Sequence, residues 1–467
     1  MKFRLFCCCL ISTLMLLSRA GALPASDTSP DKFVAIIIKL IGDKDREFRA
    51  AGLEQVRAAA RGSANTELFA AQLTKLDPEG QIALLNALAD RGDVAARSAV
   101  VELLSSSPDA GGRAAAIGSL GRLGGADDLP LLIKSLADGS KLERVAARQS
   151  LSTIGGATIN GSLATALRSA SPKAKGALIE ILAVRRANDQ LPALVAATVD
   201  DNSWVRRAAM AALGQIGRPE QIGSMLPGVL KAQKGSERDE AEKNVAEVCE
   251  RIENADARSA ALIQALNSVD AAQRDQLLSL LGRVGGKKLL AFVAEIATGN
   301  DVSRRQLGID ALSKWPDSSV ADTLFEIVNQ ATDPAQRDQA FRGYVKVSAA
   351  RDRRSDKERL DRLKKSMIAA KTPEEISLVI NRVRTAYDID ALRFVFPYVD
   401  QPPFSQIACE TIVEIAHHRE VRDPNKAEVN KMLDKVISIS KDPVVVERAN
   451  RYKRGETWDR RSIRSRG

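Results

Sequence analysis

One short phrase of this sequence keeps returning: GSLGRLGG at 118–125, LSTIGG at 151–156, LGQIG at 213–217 and LGRVGG at 281–286. The three-residue glycine rhythm of the first copy could pass for part of a phosphate-cradling loop. A binding loop does not usually come in copies, however, and these follow no strand and precede no Lys-Ser/Thr, so the phrase reads as a structural repeat. Repetition at this period constrains the chain more than composition does. A unit of roughly 30 residues cannot bury its own apolar face and must stack on its neighbours.

The clearest copy runs from Asn202 to Gln233. Val205, Ala208, Ala209, Ala212, Leu213 and Ile216 recur at helical spacing and form one apolar stripe, which Gly217 and Pro219 end. Ile222, Met225, Leu226, Val229 and Leu230 form a second stripe, so the unit is a helical hairpin. With Leu213 as anchor, equivalent positions fall at Leu53, Leu88, Leu120, Leu151, Leu182, Val248, Leu281, Leu312, Tyr344, Ile380 and Ile412, at spacings of 31 to 36 residues. The expected fold is all-α, an α-solenoid of about twelve stacked hairpins.

Chemically special slots repeat with the anchor. Eleven residues before it stand Asp77, Asp109, Ser140, Ser171, Asn202, Asp270, Asp301 and Asp333, residue types that cap helix N-termini. Seven before it come Arg46, Arg113, Arg144, Lys175, Arg206, Arg274, Arg305 and Arg337. One after it, Ala89, Gly121, Ser152, Ala183, Gly214, Cys249, Gly282 and Ser313 would let neighbouring helices approach closely. Gly124 and Gly125 read as helix termination.

The order of cap, Val-Arg, alanines and Leu-Gly-x-Ile-Gly, best seen in Val205-Arg206, Ala208-Ala209 and Leu213-Gly214-Gln215-Ile216-Gly217, resembles HEAT repeats. It is most similar to the short HEAT-like units first associated with phycobilisome lyases, over roughly Lys32 to Ile437. The resemblance implies second helices lining a concave surface that holds a protein partner. It implies no particular activity, since the family includes scaffolds, transport factors and a few enzymes. Deoxyhypusine hydroxylase, an iron enzyme of this fold, relies on His-Glu motifs, and this chain has no His-Glu pair. Departures come late: Thr372 caps in place of the usual slot, with Pro373 first in the helix and Glu375 completing a capping box. The charged run Arg351 to Lys365 reads as a solvated helix with i,i+4 ion pairs.

At 467 residues the chain exceeds the size at which single cores stop growing. Its 45% hydrophobic but only 4% aromatic content suits close-packed helices. The N-terminus is set aside: Lys2 and Arg4, the apolar run Leu5 to Leu17 and Ala20-Gly21-Ala22 read as a secretory signal peptide over 1–22, followed by a linker, 23–31. The solenoid then fills 32–437, a capping helix 438–450, and a basic tail, too polar to pack, 451–467. Net charge is +10, yet most of it sits in Lys2, Arg4, Arg19 and the eight basic residues after Glu447, so the body is nearly neutral. No specific nucleic acid is expected. No stretch of the mature chain is long and apolar enough to span a bilayer.

No catalytic, metal-ligating or cofactor-binding residue is assigned. His417 and His418 point about 100° apart on a helix and read as a solvated helix end. Cys249 and Cys409 read as core, and at ~10 Å per layer the five units between them exclude a disulfide. The expected function is an exported, non-enzymatic scaffold for a protein partner. Alternatives are an envelope protein binding a polyanion through its tail, and an enzyme whose site is dispersed over several repeats. Candidate partner contacts are Phe394, Phe396, Tyr398 and Phe404, in a stretch that would otherwise close the solenoid end, with Trp458, Arg460, Arg461 and Arg464 in the tail as a possible anionic-surface anchor.

Overall fold

The computed structural model describes residues 30–458, and all regular structure among them is helical. The signal peptide, most of the linker and the tail beyond Trp458 lie outside the described residues. The chain forms two compact units, one up to Asp189 and one from Gln190 onward.

In the first unit, helix Pro30–Ile41 packs on Arg46–Ala58, and the helices Arg46–Ala58, Pro78–Arg91, Ala110–Leu123, Lys141–Thr153 and Pro172–Val184 pack each on the next. Second helices Ser63–Ala70, Arg97–Ser106, Leu129–Asp138 and Ile159–Ala166 complete the hairpins. The second unit stacks Ser203–Ile216, Ser236–Glu250, Leu278–Val284, Val302–Ser313, Pro334–Ser348, Pro373–Val383 and Ser405–Ala416 in the same way. All twelve anchor residues lie on these first helices and all are buried.

The repeated slots explain why. Each of the eight predicted caps accepts a backbone N–H of its own first turn, as Asp109 does from Gly112 at 2.6 Å and Asp270 from Gln273 at 2.8 Å. Most of the basic slot points backward, Arg337 excepted, which bonds the Ala369 carbonyl and Glu375 ahead of it. Arg206 donates to the Asp200 and Asp201 carbonyls at 2.8 and 2.9 Å, and Arg113 to those of Ser107 and Pro108 at 3.0 and 2.9 Å. Each also reaches forward to an acid of the next first helix, Arg206 to Glu237 at 2.8 Å and Arg113 to Glu143 at 2.7 Å. Arg46 departs from this because the cap of its helix is Asp45, which leaves Arg46 exposed; Arg49, one turn on, bonds the Asp43 carbonyl instead.

The small slot works by contact. A β-carbon on Gly121 would stand 3.0 Å from the Ser150 Cα of the next helix, and one on Gly282 would overlap the Ala311 carbonyl. Gly124 caps its helix at φ −86°, so space rather than handedness requires it: a β-carbon there would lie 2.6 Å from the Leu120 carbonyl.

A further slot escaped the sequence reading. Three residues after the anchor, Arg91, Arg185 and Arg251 each donate to carbonyls at the C-terminal end of the preceding first helix, Arg91 to Val56, Ala59 and Ala60 at 2.8, 2.8 and 2.6 Å. These carbonyls have no partner within their own helix, so one guanidinium, buried in the case of Arg91, satisfies several at once.

Four late expectations change. The final helix runs Pro443–Lys453, not 438–450, because Asp442 caps it and Val445, Ala449 and Tyr452 bury its face; the first residues assigned to the tail are therefore helical. Phe394 to Phe404 does not close the end, since Ser405–Ala416, Lys426–Ile439 and Pro443–Lys453 follow. Thr372 does cap its helix, but the Glu375 carboxylate accepts from the Lys371 N–H and pairs with Arg337, so no capping box forms. The run 351–365 is no simple solvated face. Arg359 is buried and bonds the Ala350 carbonyl, Arg354 pairs with Asp352 at 2.9 Å, and Arg362 reaches Asp322 at 3.0 Å.

Candidate interaction surface

The aromatic stretch occupies the second helix of a hairpin, Ile389–Val395 continued by a 3₁₀ turn Phe396–Asp400. Ala391, Leu392, Val395 and Val399 bury its inner face. Phe394, Phe396 and Tyr398 are half-buried, and Phe404 is buried. Three of the four rings join edge to face, Phe394 to Tyr398 at 6.3 Å and Tyr398 to Phe404 at 6.0 Å; Phe396 stands outside this chain. Burial pushes the Tyr398 hydroxyl pKa up. An aromatic chain of this kind is rigid and costs little side-chain entropy on binding.

Beside it, helix Asp356–Ala369 brings Lys364 to 5.9 Å from the Phe394 ring. Ile368 lies one turn further along the same helix face and is 87% exposed, the most exposed large apolar side chain among the described residues. Charged pairs rim the patch: Arg393 with Glu428 at 2.8 Å and Asp390 at 2.9 Å, and Lys435 with Asp400 at 2.7 Å. An apolar centre with a paired, solvated rim is the anatomy of a protein-docking surface. Sequence reading found the aromatics by their density but missed Ile368, whose exposure depends on where the second-helix stripe faces.

Trp458 is half-buried, 5.0 Å from the Arg451 guanidinium, and is not part of this patch. Arg460, Arg461 and Arg464 lie outside the described residues. The basic residues of 448–454 are engaged: Arg448 with Glu414, Arg451 with Glu447, Lys453 with Asp434 and Arg454 with Glu456.

A shallow surface hollow is lined by Arg206, Met210, Gly228, Glu237 and Asn244 among others, and its Arg206 and Glu237 hold each other. The shifted carboxyls lie elsewhere. Hydrogen bonds from Arg113 and Ser140 bring Glu143 down to about 2. Burial pushes Glu242 up against the bond from Ser279. Both free cysteines are buried, and burial raises Cys249 to about 12 and Cys409 to about 11, far from a reactive thiolate. Among the described residues no His, Cys, Asp and Glu group could hold a metal, and no helix is long and apolar enough to cross a membrane.

Comparison with known proteins agrees with the repeat reading. The HEAT-repeat family matches residues 66–152 and 161–246, so those segments are HEAT repeats. Among solved structures, the karyopherin Kap121p bound to the extreme C-terminus of the protein phosphatase Cdc14p is 12% identical, with a TM-score of 0.50 over 91% of this chain and 54% of that one. Kap121p bound to the SUMO protease Ulp1p gives a TM-score of 0.51 at 12% identity, over 91% and 53%. The chain spans about half the length of these structures, and at this identity the likeness is one of fold. No curated protein matches the chain.

Proposed function

We propose that this protein is an exported, non-enzymatic scaffold that docks a protein partner on the second helices of its second unit, around Ile368, Phe394 and Tyr398. The observation that carries the reading is Ile368. Caps, arginines and small residues of the repeat are consumed by internal contacts, whereas this isoleucine is left in solvent beside an aromatic chain with a charged rim. The fold suits the role, since each repeat touches only its neighbours and the array offers an extended surface. Kap121p, of similar fold, has been solved bound to the extreme C-terminus of the protein phosphatase Cdc14p and bound to the SUMO protease Ulp1p. Export is inferred from the basic start, apolar run and small-residue site of 1–22.

The test is affinity capture of the mature chain with cross-linking, at low and high salt, beside Ile368→Asp and a chain ending at Gly455, which keeps the packed final helix. A partner that survives high salt, cross-links to 356–400 and is lost with Ile368→Asp supports the reading. A partner that washes off with salt or with the C-terminal residues defeats it in favour of a charge-driven anchor.

A further inference from the structure

The chain has two histidines, and both lie at one junction. His417 ends helix Ser405–Ala416, and His418 opens the short helix Arg419–Arg422. They are half-buried between two tyrosines rather than solvated. His418 stacks on Tyr387 with ring centroids 3.5 Å apart, and His417 Nδ1 lies 3.0 Å from the Tyr452 hydroxyl.

Tyr452 belongs to the final helix and is 1% exposed. Its hydroxyl oxygen accepts from Arg448 Nε at 3.2 Å. The proton of that hydroxyl is then free to be donated to the Nδ1 lone pair of His417. This assigns a neutral imidazole carrying its proton on Nε2.

The surroundings hold it neutral. From the final helix Arg448 faces it, with Glu414 of its own helix paired to that guanidinium at 2.7 Å. From the short helix come Arg422, 5.3 Å from the Tyr452 ring and paired with Asp423, and Glu420, 3.3 Å from His418. Arg351 lies 4.0 Å from the Tyr387 ring on the other side of the junction. Burial first, then His418 and Arg448, press the His417 pKa below its ordinary value, while Glu414 alone pulls upward.

We propose that the His417–Tyr452 contact is a pH-sensitive latch that holds helix Pro443–Lys453 against Ser405–Ala416 at neutral pH and releases it in acid. Protonation turns Nδ1 from acceptor to donor, leaves the buried tyrosine proton without a partner, and adds a cation beside Arg448 and Arg422. Because the docked pKa is depressed, the latch is fully set above about 6.5 and is lost as pH falls through the docked value. Release uncovers the surface now covered by Val445, Ala449 and Tyr452. The inference does not depend on the proposed function.

The test is hydrogen exchange on the full chain from pH 7.5 to 5, corrected for intrinsic rates, with helix 203–216 as internal control. Protection of 443–453 should fall by up to roughly tenfold per pH unit below about 6.5 while the control stays flat. His417→Gln, whose amide oxygen can still accept from Tyr452 but gains no proton, should remain docked and lose the pH dependence; His418→Gln should keep it. Unchanged protection in the natural chain, or the same pH profile in His417→Gln, overturns the proposal. Should His417→Gln fail to fold, imidazole NMR of the natural chain decides, with the two signals assigned through His418→Gln: a His417 titration at or above about 6.5 also overturns it.

Discussion

The two units are built on one repeat from different materials. The first contains no tryptophan, tyrosine or histidine; the second holds all three tryptophans, all four tyrosines and both histidines. In the first unit neighbouring first helices are joined by hydroxyls, such as those of Ser119 and Ser150, which bond carbonyls of the preceding first helix at 3.2 and 2.7 Å, and by ion pairs such as Arg113 with Glu143 at 2.7 Å. The second unit uses the same ladder of devices, but its Arg206–Glu237 pair is more deeply buried and its last helices add packed aromatic and histidine rings. The difference teaches that the repeat supplies the scaffold, and that departures from it supply surfaces able to recognise or respond. It also gives a readout, because tryptophan fluorescence reports on the second unit alone.

The ladder pair sharpens the contrast most. Arg206 and Glu237 are each 5% exposed, against 28% and 12% for Arg113 and Glu143. Arg206→Met strands a buried carboxylate and should cost about 4 kcal/mol in urea unfolding followed by tryptophan fluorescence. Arg113→Met should cost clearly less by circular dichroism, and equal losses would erase the distinction.

Next comes packing. Gly282→Ala forces a methyl into the Ala311 carbonyl and should cost about 2–3 kcal/mol in the same unfolding experiment. Acid should act on the first unit through Glu143. Its carboxyl is held at about 2 by Arg113 and Ser140, so its contribution is present above about 4.5 and is lost as pH falls toward 2. Glu143→Gln should remove that part of the acid-unfolding curve, and an unchanged curve would show that the pair is idle. The smallest effect has the opposite sign. Gly118, mid-helix with open space around its missing β-carbon, should gain roughly 0.5–1 kcal/mol as Gly118→Ala in thermal unfolding.

Much of the fold was legible because its rules are local. A cap acts within three residues, an apolar stripe within one helix, and the small slot recurs where the same neighbour recurs, so Asp77, Leu213 and Gly282 could be placed by counting. The candidate site was only half legible. Aromatic density between Arg393 and Phe404 marked the stretch, but nothing local distinguishes an isoleucine that is buried from one left in solvent, as Ile368 is. The arginines after the anchor were missed because only Arg91, Arg185 and Arg251 occupy that slot in this way.

Amino-acid order alone determined the hairpin, its period, its caps and its close contacts, since each of these is settled by neighbours in the chain or by the identical next repeat. Tertiary structure decided what stands opposite an irregular residue. His417 and Tyr452 are 35 positions apart, and only the packing of the final helix, Pro443–Lys453, on Ser405–Ala416 turns a pair of adjacent histidines into a contact whose strength depends on a proton.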